Sequence, residues 1–284
     1  MRRIIKGLEP IALRKWKVDN RTVPENLTYG ALHGTETRAI RRQMLLEQGY
    51  LCAYTMQRIQ TIEDCHIEHL VPQTQDRDSD LDYENMLACF PGMKPPPEWN
   101  PKFPYGAQQK GGTHINDTNF VSPLSVDVEN RFQYSADGSV RASTADTAAS
   151  SSIEILRLDH SILCELRKAA IEERVLDASL SAEDAIALVS SISSPDSSGM
   201  IPEFCLAIAQ VSDWYGKALQ AYSKTQLSIM KQRARGPAPF VRSKQQMRTP
   251  PIPSIRKHPN LPTPATKACR RGGGPGKARH REVP

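Results

Sequence analysis

Hydrophobic and polar positions change rhythm along this chain, and the change divides it near residue 150. In the first half, Thr35 to Gln48 puts Ile40, Met44 and Leu45 on one stripe, with Thr35 as a cap, Glu36 in the first turn and Gly49 as a stop; this predicts a helix. Leu51 to Thr55 and Asp64 to Val71 are short, carry β-branched or aromatic residues and are closed by Pro72, which predicts a pair of strands. Asp82 to Phe90 reads as the beginning of a second helix. Residues 91–113, dense in proline and ending on Gly111-Gly112, read as a long loop of the kind that often carries function. Phe120-Val121 and Arg131 to Tyr134 then lead through Ala136-Asp137-Gly138 into Ser139-Val140, and Asp-Gly between two such runs predicts a hairpin.

From Ile153 the period is helical. Leu156, Leu163, Leu166 and Ala170 share a stripe behind Ser150 to Ser152, which could cap it. Ser181 to Asp184 resembles a capping box ahead of a short apolar helix. Pro202 opens a third helix with Phe204, Ile208, Val211, Tyr215, Ala218 and Tyr222 on one side, read as core. Residues 1–34 read as an irregular leader that packs through Ile4, Ile5, Leu13 and Trp16 while its charges stay solvated. The fold class is therefore α+β, with a leader at 1–34, a core at 35–149, a helical region at 150–228 and a disordered, basic, Pro-rich tail at 229–284.

Charge sharpens this division. The net charge of +6 conceals an asymmetry: from Lys224 onward there are fifteen Lys or Arg and one acid, Glu282, which leaves 22 basic and 30 acidic side chains before it. The body is acidic and the tail supplies the positive charge, so an acidic partner such as DNA or RNA would meet the tail first. The six cysteines are widely scattered and no signal peptide precedes them, which points to free thiols in a reducing, cytoplasmic setting. No run of about eighteen apolar residues suggests a membrane span.

The stretch that carries chemistry is His66-Ile67-Glu68-His69-Leu70-Val71-Pro72, followed by Tyr83-Glu84-Asn85-Met86-Leu87. Hydrolysis of a phosphodiester needs a base to activate water and a cation to stabilise charge on phosphate and leaving oxygen. His69 can take a proton near neutral pH, Glu68 offers a hard oxygen to Mg²⁺ or Mn²⁺, and the amide of Asn85 can donate and accept at once to fix the loop after His69. His66 shares a strand face with Glu68, as a metal ligand or as a satisfied core histidine. Lys110 reads as a solvated loop cation.

Glu-His-x-x-Pro, a polar interval and Glu-Asn-Met-Leu in that order resemble the ββα-metal motif of HNH endonucleases. Cys52-Ala53-Tyr54, Lys110-Gly111, Ser122-Pro123-Leu124 and the Glu129 to Gly138 segment extend the resemblance over roughly residues 36–215, to the small HNH proteins that partner an ATPase in Septu-type and retron-linked anti-phage systems. The resemblance implies a catalytic base at His69, a positioning Asn85, metal binding by Glu68, a small ββα core with an additional hairpin, and a partner ATPase, since the chain itself has no Gly-rich loop ending in Lys-Ser or Lys-Thr. It leaves the final ligand open. Where such motifs have a His or Asn close before a Lys, this chain has Gly106 to Gln109, so either His114 or Asn116 serves, or the metal is held by fewer protein ligands with water and substrate phosphate completing its shell. A structural zinc, from Cys52, Cys65, Cys89 and His66, is the weaker expectation, because Cys52 is not followed by the second cysteine of a Cys-x-x-Cys. The competing expectation is a non-catalytic binding subunit with a degenerate HNH fold.

Overall fold

The computed structural model describes residues 1–92 and 103–234. Helices α1 (Ile11–Asp19) and α2 (Gly34–Glu47) are followed by strands β1 (His66–His69) and β2 (Met86–Cys89), a short helix α3 (Ala107–Lys110), strands β3 (Phe132–Tyr134) and β4 (Val140–Ala142), and helices α4 (Thr147–Leu156), α5 (Ser161–Ile171), α6 (Ala182–Ser191) and α7 (Cys205–Ala234). The strands form two separate antiparallel pairs, β1 with β2 and β3 with β4, so the class is α+β. One continuous hydrophobic core runs from Met1 to Tyr215 and takes in leader, strands and helices alike. Among the described residues no helix is long and apolar enough to cross a membrane. The expected disorder of the tail from residue 235 on, and the proline run Pro95 to Pro97, lie outside the described residues.

The first hairpin corrects the sequence reading. Asp64 to Val71 contains a strand, but its partner is Met86–Cys89, in the stretch whose pattern predicts a helix. All four residues of β2 are buried, and a short apolar run buried on both faces has no period to distinguish strand from helix. Asp82 does cap a turn, but only a single 3₁₀ turn, Tyr83–Asn85, through Glu84 N at 3.0 Å. Leu51 to Thr55 is no strand, making one bridge between Leu51 and Arg58. It runs beside β2 instead: Ala53 N donates to Ala88 O at 3.0 Å. The buried amide of Gln48 completes that edge, accepting from Ala88 N at 2.8 Å and donating to Ala88 O at 2.9 Å. Gly49, at φ +61°, ends α2 where a Cβ would meet Ile201 Cδ1 at 2.5 Å.

The leader is not irregular. Residues 11–19 are helical, Ile4 and Leu13 are buried, Ile5 is 69% exposed, and Met1 is fully buried. Its charges are not all solvated either, because Lys6 lies inside, 3.4 Å from Glu47 and over the ring of Tyr83. The predicted second hairpin is present, with Gly138 at φ +77°, and a Cβ there would meet Cys164 O at 1.9 Å, so the turn is packed directly on α5. In the helical region the serines 150–152 lie within α4, whose cap is Asp146, accepting from Ala149 N at 2.9 Å. Arg157, at φ 49°, breaks the single predicted stripe into α4 and α5, and Leu166 ends 42% exposed. Ser181 caps α6 as expected, through Asp184 N. Helix α7 packs on α6 and holds β3 through Gln210, which bonds Tyr134 N and Phe132 O.

Candidate functional site

Alternation along β1 turns Ile67 into the core and leaves His66 and Glu68 on one face. The ring Nδ1 of His66 contacts the carbonyl of Pro91, which can only accept, so Nδ1 carries the proton and Nε2 keeps its lone pair. That Nε2 stands 3.9 Å from Glu68 Oε2. Burial lowers the His66 pKa, so the ring is neutral at pH 7. Burial raises the Glu68 pKa, and Lys110 opposes the rise: its Nζ lies 2.6 Å from Glu68 Oε1.

Lys110 is the clearest departure from expectation. It is 2% exposed, at the end of α3, and besides Glu68 it donates to His69 O at 3.0 Å. A solvated cation would do neither. It is a buried counterion that ties the α3 turn to the end of β1.

His69 closes β1. Its Nε2 lies 2.9 Å from the carbonyl of Asp80 and 3.7 Å from Asp80 Oδ1, and the Tyr29 ring meets it edge to face with centroids 4.9 Å apart. Nε2 is therefore the protonated nitrogen, and Nδ1, which makes no hydrogen bond among the described residues, holds the lone pair. Burial lowers the pKa of this ring as well. Asp80 is itself held, by Tyr29 N at 2.6 Å and by the Gln73 amide. Asn85, buried, clasps the loop between the strands: Val71 N donates to its Oδ1 at 2.7 Å, and its Nδ2 donates to Val71 O at 3.0 Å and Ser79 O at 3.4 Å. The two-way amide bond expected of Asn85 is thus present.

The third metal ligand is not. His114 is exposed, and among the described residues no three His, Cys, Asp or Glu groups gather to hold a metal, so His66, Glu68 and His114 do not assemble as a set. Asn116 spends its carbonyl on Thr118 N and Oγ1 within its own turn. What remains is one carboxylate oxygen and one imidazole nitrogen facing each other. That pair suits an open site for a hard divalent ion completed by water and phosphate oxygens.

Cys52, Cys65, Cys89 and His66 lie near one another, yet among the described residues they form no group able to hold a metal. Burial would raise the Cys52 thiol, but hydrogen bonds from the Cys89 thiol, Phe90 and Thr55 outweigh it and bring it down to about 6. Cys65, pushed up to about 12 by burial, stays a thiol.

No protein-family model matches this chain, and no curated protein does. Tyr29 and Asp80 are not legible in the sequence as site residues. Asp80 is one of several acids in a polar loop and Tyr29 sits 40 residues from His69 in sequence, so no spacing connects them.

Proposed function

We propose that this chain is a metal-dependent, HNH-type endonuclease that hydrolyses phosphodiester bonds in DNA, with RNA as the other candidate substrate, and that it serves as the effector subunit of an anti-phage complex with a partner ATPase. The observation that carries the reading is the tautomer of His69. With Nε2–H directed at Asp80 O, Nδ1 is an unoccupied base. It can accept a proton from water, and the Asp80 carbonyl and carboxylate then stabilise the imidazolium. Two strands and a four-residue helix in sequence order, with Asn85 clasping the loop between the strands, support the same reading. Glu68 and His66 would hold the divalent ion, which supplies Lewis-acid stabilisation of charge on phosphate and leaving oxygen. Lys110 opposes the rise that burial gives the Glu68 pKa and, at 2.6 Å from Oε1, limits how far the carboxylate can move.

The test is plasmid nicking by the full chain with whatever co-purifies, in Mg²⁺, Mn²⁺ or chelator, with nucleotide supplied. His69→Ala is expected to lower cutting by about 10²–10⁴-fold, the usual worth of a general base, and Glu68→Gln to lower it through weakened metal binding, each with the melting temperature unchanged. Undiminished metal-dependent cutting in both variants would refute the assignment.

One observation favours the second reading, a non-catalytic binding subunit: half of the Glu68 carboxylate is already committed to Lys110, and no third ligand stands by among the described residues. That reading expects no cutting in any metal, and binding that disappears on removal of the basic segment after Tyr222.

A further inference from the structure

Arg41 is the unexplained charge beside this site. It stands on α2 between two residues whose contacts fix where that helix face looks. One turn earlier, Arg38 reaches Glu63 at 3.1 Å, in the segment leading into β1; two turns later, Gln48 bonds Ala88 of β2. Arg41 is thereby aimed at the start of β1, where Cys65 and His66 lie beside the end of β2. Its charge is close enough to act on His66, Cys65 and Tyr29, the last of which lies against His69.

Yet Arg41 makes no hydrogen bond and no ion pair among the described residues, and its Nε–H is shut off from solvent without an acceptor. Arg2 and Arg3 also carry a dry, unpaired Nε–H, but in the N-terminal segment that bonds Glu129 and Pro123, whereas Lys6 and Lys110, the lysines buried at the first hairpin, each have a carboxylate partner. A guanidinium has five donors in a planar fork that matches phosphate, and leaving one of them dry and unpaired is unfavourable unless something else supplies the acceptor.

We propose that Arg41 binds a phosphate group of the nucleic-acid substrate, next to the bond presented to His69. The inference rests on the phosphodiester reading, and deepens it by naming the side chain that receives the backbone. It also places the substrate: the nucleic acid lies over the surface where Arg41 of α2 meets the start of β1, with the Tyr29 segment on the same side.

The experiment uses the full chain carrying His69→Ala, so that nothing turns over, and measures its affinity for a short duplex and for the same sequence as a single strand between roughly 50 and 200 mM salt. Adding Arg41→Gln should weaken binding and flatten the slope of log affinity against log salt by about 0.9 for the duplex or about 0.7 for the single strand, as expected when one phosphate is no longer neutralised. Arg41→Lys should keep the slope and lower affinity, because charge remains while the fork does not. Arg141→Gln, on β4, should change neither.

An unchanged slope in Arg41→Gln overturns the proposal, as does failure to bind either nucleic acid. A melting temperature that drops by several degrees in Arg41→Gln also overturns it, since an arginine without a protein partner has little folding stability to lose. The nuclease reading fails separately, on nicking activity retained by His69→Ala. An unchanged Arg41 slope beside an inactive His69→Ala therefore removes this inference and leaves that reading intact.

Discussion

Two buried lysine–glutamate pairs flank the first hairpin, and they are built differently. On the β2 side, Glu47 receives Gly7 N at 2.9 Å and Gln43 Nε2 at 3.1 Å on one oxygen, and Tyr83 OH at 2.9 Å and Lys6 at 3.4 Å on the other. Lys6 in turn donates to Met86 O at 2.9 Å. That carboxylate is saturated. On the β1 side, Glu68 has Lys110 on one oxygen, while the other faces only a neutral imidazole nitrogen that, like it, carries a lone pair and no proton to share. Two acceptors turned toward each other in a buried place make a poor structural contact and a good cation site. Burial and ion pairing are common to both pairs; unspent acceptor capacity is what sets the Glu68 pair apart.

Removing the cation from each pair should give the largest contrast. Lys6→Met leaves Glu47 buried and uncompensated and is expected to cost about 3–5 kcal/mol of stability, with no recovery on adding Mg²⁺ or Mn²⁺. Lys110→Met is expected to cost about as much in chelator, but there a divalent ion can take over the charge beside Glu68 and restore most of the stability. Thermal or denaturant unfolding of both variants, with and without metal, reads the difference directly. An equal response to metal in the two variants would mean that Glu68 is as structural as Glu47.

Asn85 offers an intermediate effect. Asn85→Ala leaves the half-buried Val71 N and O without their partner and should cost about 1–2 kcal/mol, while cutting falls about 10–100-fold because the loop that carries Asp80 no longer fixes the His69 ring. A stability loss with cutting intact would confine Asn85 to the fold. Both losses together tie the clasp to the base it positions.

What can be read from the sequence of this region follows from what local pattern can encode. The second hairpin is legible because Asp137-Gly138 sets a turn in two residues, and the Ser181 cap because its partner is three residues on. The first hairpin is legible in its chemistry and misleading in its structure. His66, Glu68, His69 and Asn85 stand out by residue type and order, but β2 carries no period, so the strand that pairs with them has a helical look. Lys110 misleads for a related reason: nothing near it in sequence says that its charge is matched, since Glu68 lies 42 positions earlier. The same holds for Lys6 and Glu47, and for Tyr29 over His69. Contacts made by tertiary folding between polar residues leave no local trace, and this site consists largely of such contacts. His114 shows the converse, a suitable residue type close in sequence to Lys110 that the fold leaves in solvent.

The smallest effect expected is in pH, and it again separates the open site from its surroundings. Burial lowers the pKa of both His66 and His69 below the ordinary 6.5. A base whose folded value is depressed contributes stability that is present above its unfolded value and is lost as pH falls through 6.5 toward the folded value, because the unfolded chain takes up protons that the folded chain refuses. A variant with His66→Gln and His69→Gln should therefore have a flatter stability profile than the wild type below pH 6.5, while the two profiles run parallel above it. Glu68, whose pKa is raised, contributes with the opposite sign at the acid end of that window, but it is common to both proteins and cancels in the comparison to first order. A divalent ion should enlarge the difference, since an ion on His66 Nε2 competes with the same proton and binds only the folded wild type. If the profiles stay parallel through pH 6.5 in chelator, the two rings are protonated as readily in the folded chain as in the unfolded one. If metal then fails to separate them, the lone pair assigned to His66 Nε2 is not facing a cation site.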